Sequence, residues 1–172
     1  AETGIVAGMR GPFGPETALT AEDTLVAEGP TVFEFTMNSE EPIAAMQAVK
    51  KKHGDAIYAG MGTVLSVDDA KRVLDAGGDF IVSPAFQPSV VRTVLDAGAL
   101  VAPGVATPSE AVAAWEMGVP LLKVFPIGPL GITYFKAMFG PLAHMKFMCN
   151  GGINGENARA FIQAGAVAVG AM

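Results

Sequence analysis

"VLDAGGDFIVSP" (residues 73–84) is followed, after a short spacer, by "VLDAGALVAPG" (residues 94–104), and the two stretches have the same construction. In each, an apolar-periodic segment stops at a glycine suited to a helix C-terminus, and a short β-branched run begins at once. The pattern recurs in "WEMGVPLLKVFP" (115–126) and "FIQAGAVAVG" (161–170). A helix stop that runs directly into an apolar strand marks a βα repeat, whose strands pair in parallel and are covered on both faces.

Working outward, helix-ending glycines fall at Gly29, Gly54, Gly77, Gly98, Gly118, Gly140 and Gly165. Their spacing of about 20 to 25 residues is the length of one βα unit with short connections. The pattern predicts strands over 4–9, 31–37, 56–60, 79–83, 100–102, 120–125, 146–149 and 166–170. Helices are predicted over 15–28, 41–53, 66–76, 88–97, 107–117, 131–139 and 155–164. Eight units without an intervening linker predict a single-domain (β/α)8 TIM barrel of parallel strands over residues 1–172, with an open doubly wound sheet as the alternative. The chain stops at Met172, after the eighth strand, so the C-terminal helix is expected to be missing by truncation.

Composition narrows the function. Of 172 residues, 51% are hydrophobic and 16% charged, which suits one sizeable core. A net charge of −6 and a pI near 4.8 exclude a basic nucleic-acid surface and a patch for anionic membranes. No apolar run reaches the roughly 20 residues of a membrane span, and a cytoplasmic location is expected. Cys149 is the only cysteine, so neither an intrachain disulfide nor a cysteine-rich metal site is available. His53, beside three lysines, and His144 read as surface residues, and no metal or cofactor is expected.

In a parallel barrel the active site lies at the C-terminal ends of the strands. The polar residues there are Arg10 after the first predicted strand, Glu34, Thr36 and Asn38 on the second, Thr63 after the third and Ser83 beside Pro84 after the fourth. Thr107 follows the fifth, Lys123 lies on the sixth, and Asn150, Gly151 and Gly152 follow the seventh. Thr107, with Pro108 and Glu110 behind it, reads as a helix cap. Arg10, Thr63, Asn38, Thr36, Pro84 and Phe125 form the expected substrate-binding set.

Lys123 interrupts the apolar run "GVPLLKVFPIG" (118–128) and shares its face with Leu121 and Phe125. Two readings are open. It is a structural cation that snorkels or pairs with a carboxylate, or it is a desolvated amine of lowered pKa, able to form a Schiff base with a ketone. Glu34, in "VFEFTMN" (32–38), is either its ion-pair partner or a general base, and the two roles are compatible. Gly151 and Gly152, in "CNGGING" (149–155), suit a phosphate at the N-terminus of a helix capped by Asn154, although glycine pairs also serve ordinary turns.

Together these motifs resemble the family of 2-keto-3-deoxy-6-phosphogluconate and 4-hydroxy-2-oxoglutarate aldolases. "GIVAGMRG", "FEFTMNS", "GMGTV", "FIVSPAF", "PGVATPSEA", "LLKVFP", "YFKAMFGPL" and "NGGING" stand in the family's order through the whole chain, and "PGVATPSE" followed by "KVFP" is the most specific part. The resemblance implies a (β/α)8 barrel, a homotrimer, and class I aldol cleavage to pyruvate and an aldehyde without metal. By motif, Lys123 is similar to the Schiff-base lysine and Glu34 to the residue that shuttles protons through water. Arg10 and Thr63 match substrate-contacting positions, and Gly151 and Gly152 match part of the phosphate loop. Asn38-Ser39 and "LGITYFKA" (130–137) look closer to the 2-dehydro-3-deoxy-6-phosphogalactonate branch. The expected partners are a keto-deoxy sugar acid and pyruvate, with no nucleic acid and no membrane. The rival readings are a phosphate-binding barrel isomerase, in which Lys123 acts only as a cation, and a non-catalytic binding barrel.

Overall fold

Each βα unit hands its strand to the next by parallel pairing. The computed structural model describes residues 3–172, and the elements run β1 (Ile5–Met9), α1 (Pro15–Ala27), β2 (Val32–Thr36), α2 (Pro42–His53), β3 (Tyr58–Gly62), α3 (Val67–Asp75), β4 (Phe80–Val82) and α4 (Pro88–Asp96). They continue as β5 (Leu100–Ala102), β6 (Gly104–Val105), α5 (Pro108–Glu116), β7 (Leu122–Val124), α6 (Ile127–Phe139), β8 (Phe147–Asn150), α7 (Ala158–Gln163) and β9 (Ala168–Ala171). Helix starts follow local chemistry. Proline occupies the first turn of α1, α2, α4 and α5, Ser66 caps α3, and Thr107 and Glu110 form a complete capping box on α5.

All nine strands lie in one parallel sheet of order β5-β4-β3-β2-β1-β9-β8-β7-β6. No crossover reverses that order, so the open doubly wound alternative fails and the sheet curls into a nearly closed barrel. The strand predicted over 100–102 continues beyond Pro103, which has no N–H to donate to a ladder and separates it into β5 and β6. Its first part pairs with β4 and its second with β7, while the Pro103 carbonyl accepts the Lys123 N–H at 2.9 Å. One bent strand thus brings the two ends of the sheet together.

Other departures from expectation have local causes. The third strand begins at Tyr58 rather than 56, because Gly54–Ala56 forms a 3-10 turn and pairing starts where the Tyr58 N–H meets the Thr31 carbonyl. That register sets Glu34 beside Gly60 and Thr36 beside Gly62. α6 starts at Ile127, ahead of the expected 131, and is interrupted at Gly131, whose φ is 78°. Gly140 is not a left-handed helix stop: its φ of −47° continues α6 into a further 3-10 turn.

Strand alternation divides the apolar residues into two layers. Phe33, Phe35, Phe135 and Phe147 are fully buried between sheet and helices, each contributing on the order of 1.5–3 kcal/mol. Inside the barrel, Val6, Phe80, Val82, Ala102 and Met148 fill the lower half. Above them the inward positions become Glu34, Lys123 and Asn150, all buried. Among the described residues, no helix is long and apolar enough to cross a membrane.

Candidate active site

β2 and β7 stand four places apart round the sheet, on opposite sides of the barrel, and each sends one ionisable side chain inward. Lys123 is 4% exposed and Glu34 1% exposed, with Lys123 Nζ 3.6 Å from Glu34 Oε1. That separation is an ion pair too long for a direct hydrogen bond, and neither Glu34 oxygen accepts one from the described residues. Lys123 Nζ also lies 5.0 Å from the centre of the Phe125 ring.

Opposing forces act on the amine. Glu34 at 3.6 Å favours the ammonium by roughly 4–5 kcal/mol at an effective dielectric near 20, whereas removing a charge from water costs several kcal/mol. Burial is the larger influence: it lowers the Lys123 pKa below the ordinary lysine value, Glu34 partly restores it, and Arg10 adds a smaller lowering.

Glu34 approaches this closely because Gly62 leaves room. A Cβ built on Gly62 would lie 1.9 Å from Glu34 Oε1. At the next position, Thr63 has a φ of 57°, a conformation that β-branched residues avoid, at a cost of order 1–3 kcal/mol. The strained turn brings the Thr63 hydroxyl to the barrel mouth, where it accepts a 3.3 Å hydrogen bond from Arg10 Nη2.

These groups line a cavity of about 250 Å³ at the C-terminal ends of the strands. Of the predicted site residues, Arg10, Thr63, Pro84, Lys123, Phe125, Gly151 and Gly152 line it, and Glu34 stands behind Lys123. Thr36 and Asn38 do not reach the lining. The Thr36 hydroxyl is buried against Ser39 Oγ at 2.9 Å, and Ser39 Oγ accepts the Gly11 N–H, so Thr36 braces the loop that carries Arg10. Asn38 is exposed on the turn after β2. Asn150, Ile153 and Gly170 join the lining without having been predicted to bind. The signal for Asn150 was its place at a strand end. The fit between Asn150 and Gly170, whose Cβ would fall 1.9 Å from Asn150 Nδ2, arises only from barrel closure.

The glycine pair takes positive φ at both positions, 83° and 88°, and the Gly151 carbonyl accepts the Gly128 N–H at 2.6 Å. The expected helix does not begin there. Asn154 Oδ1 instead accepts the N–H groups of Glu156 and Asn157 in a turn, and α7 starts at Ala158. The loop therefore abuts the N-terminus of α6, through Gly128, and not the start of α7.

The profile described as KDPG and KHG aldolase matches residues 14–171. A probable 2-dehydro-3-deoxy-6-phosphogalactonate aldolase of Rhizobium meliloti is 36% identical over 140 residues, covering 80% of this chain and 66% of the relative. A 2-dehydro-3-deoxy-phosphogluconate aldolase of Haemophilus influenzae is 33% identical, over 84% of this chain and 68% of the relative. The chain thus spans about two thirds of the length of these curated relatives. Among solved structures, the KDPG aldolase of Legionella pneumophila, with pyruvate captured at low pH as a covalent carbinolamine intermediate, superposes with a TM-score of 0.89. It is 29% identical, with 96% of this chain and 81% of that chain covered.

Proposed function

This chain belongs to the KDPG and KHG aldolase family, whose members are lyases, and we propose that it is a single-domain class I aldolase acting on 2-keto-3-deoxy-6-phospho sugar acids. The observation that carries this reading is a lysine amine 4% exposed at the inner wall of the cavity, with a carboxylate 3.6 Å away and its pKa lowered by burial.

The neutral Lys123 amine attacks the C2 ketone of the substrate, and loss of water with uptake of one proton from solvent leaves a protonated imine. Glu34, directly or through one water, takes the proton from the C4 hydroxyl. The C3–C4 bond then breaks, its electron pair passes into the imine as an enamine, and glyceraldehyde 3-phosphate departs. Glu34 returns its proton to C3 of the enamine, and hydrolysis of the protonated imine releases pyruvate and one proton to solvent and restores the neutral amine. Arg10 and Thr63 contact the anionic substrate at the mouth, Phe125 and Pro84 shape the wall, and the backbone at Gly151 and Gly152 receives the phosphate. Both C4 epimers, gluconate and galactonate, fall within this reading; Asn38-Ser39 and the segment 130–137 resemble the galactonate branch, while Asn38 itself stands outside the cavity lining, and the assembly is a homotrimer.

Borohydride reduction in the presence of pyruvate, followed by peptide mass mapping, should place a stable adduct on Lys123. No adduct under conditions that trap another class I aldolase would overturn the mechanism. Relative kcat/KM on the two C4 epimers, with and without phosphate, tests the substrate assignment, and sedimentation equilibrium tests the trimer.

A further inference from the structure

Away from the barrel mouth, the described residues bring three ligand-type side chains together at the α1–α2 contact: Glu22 and Asp23 from α1 and His53 from the end of α2. Their ligand atoms all lie within 4.8 Å of one another. Glu22 is fully buried, and neither of its carboxylate oxygens accepts a hydrogen bond. His53 Nε2 lies 2.7 Å from Glu22 Oε2 and 3.6 Å from Asp23 Oδ1, yet it too makes no hydrogen bond. The imidazole and the carboxylate stand at ion-pair distance, and Glu22 Oε1 is left buried with no hydrogen-bond partner among the described residues.

We propose that Glu22, Asp23 and His53 form a binding site for a divalent zinc-class cation that clasps α1 to α2. Metal–ligand lengths of about 2.0–2.2 Å set tetrahedral ligands roughly 3.3 Å apart, and the 2.7 and 3.6 Å separations bracket that value. One imidazole with two carboxylates suits Zn²⁺ and its neighbours, whereas Ca²⁺ and Mg²⁺ favour oxygen-only shells of higher coordination number. Asp23 is 52% exposed, so water can complete the fourth position. Lys52 already pairs with Asp23, but both side chains are largely solvated, and such a surface pair yields readily to a divalent ion. The site lies on the outer helices, so its role is to hold helices together, and the proposal is independent of the chemistry assigned to Lys123. Thirty residues separate Asp23 from His53, so no short spacing motif announced it, and His53, read from sequence as a surface residue, is 16% exposed against Glu22.

The test is zinc titration of chelator-stripped full chain, read by calorimetry, thermal melting and the visible spectrum of the Co²⁺ form. The expected result is one equivalent bound, tetrahedral Co²⁺ absorption, and a Tm raised by about 5–10 °C at zinc roughly a hundredfold above Kd. His53→Gln and Asp23→Asn should abolish these signals. Asp23→Asn alters a half-exposed side chain, so it serves even if Glu22→Gln fails to fold. His144→Gln and Cys149→Ser should leave them unchanged. Absence of saturable binding below about 1 mM, binding unaffected by His53→Gln and Asp23→Asn, or binding lost with His144→Gln would overturn the site.

Discussion

Gly62→Ala tests whether the position of Glu34, and not merely its presence, drives cleavage. Gly62 has an ordinary backbone conformation, so the substitution adds no φ strain. The new Cβ would stand 1.9 Å from Glu34 Oε1, 2.7 Å from Cδ and 2.8 Å from Cγ, whereas ordinary contact begins at 3.4 Å. The carboxylate must therefore retreat by about 1.5 Å, and a misplacement of about 1 Å can cost on the order of 10²-fold in rate. A loss of about 10² in kcat is expected, close to 2.7 kcal/mol of barrier, with roughly 1–3 kcal/mol of overpacking lowering Tm. Pyruvate trapping on Lys123 should persist within a few-fold, because the amine is not displaced directly. Glu34→Asp, whose carboxylate is drawn back by one methylene, should cost less in the Gly62→Ala background than alone. Steady-state cleavage and borohydride trapping on the same preparations separate the two steps. A kcat within about twofold of the parent, in a protein whose Tm has fallen, would refute the reasoning.

Glu34→Gln removes the base but keeps the shape. Trapping should survive while cleavage falls by about 10²–10⁴, and parallel loss of both would reduce Glu34 to a structural partner of Lys123. Burial holds the Lys123 pKa below its ordinary value of 10.5, so the neutral fraction and the trapping rate should rise with pH and level off before that value; a rise continuing to pH 10.5 contradicts this. The folded state then binds fewer protons than the unfolded state between the two pKa values, so this group's contribution to stability falls as pH drops through that window, measurable by urea melts. Arg10→Gln should raise KM for the anionic substrate about 10-fold or more with stability changed by no more than about 0.5 kcal/mol, and an unchanged KM would remove Arg10 from the site. Burial pushes the Cys149 thiol up to about 12, so an aromatic disulfide reagent at pH 8 should label it only after denaturation.

The repeat at 73–104 made the barrel legible because helix stop, glycine and strand are all local signals. What it could not show was how one proline shares a strand between two neighbours: the strand predicted over 100–102 stops short of Pro103, and only the fold shows β4 and β7 taking opposite halves of the longer segment. Lys123 was legible because a charge in a buried strand is conspicuous, and Glu34 for the same reason. Gly62 and Gly170 were not, since a strand glycine in a sequence does not reveal which side chain occupies the volume it leaves. Thr36 stays out of the cavity lining because its hydroxyl is taken up by Ser39, a contact that strand alternation does not reveal. The pairing of Glu22 with His53 escaped notice because contact across 31 positions depends on how α1 packs on α2.

The charges of the site follow from the same geometry. With a net charge of −6, the protein provides no long-range attraction for the anionic substrate proposed above, so on that reading capture depends on groups within the cavity. In the proposed reaction Lys123 is neutral at the moment of attack; the formal charges of Arg10 and Glu34 then offset each other, which leaves uncharged donors such as backbone N–H groups to hold the anion. Glu34 and Phe125 favour the ammonium, while burial and Arg10 favour the amine. In the proposed reaction, a carboxylate nearer to Lys123 would strengthen the pull toward the ammonium at the expense of the nucleophile, and one farther away would leave the C4 hydroxyl without an acceptor. The separation of 3.6 Å, made possible by the missing side chain at Gly62, lies between these two failures.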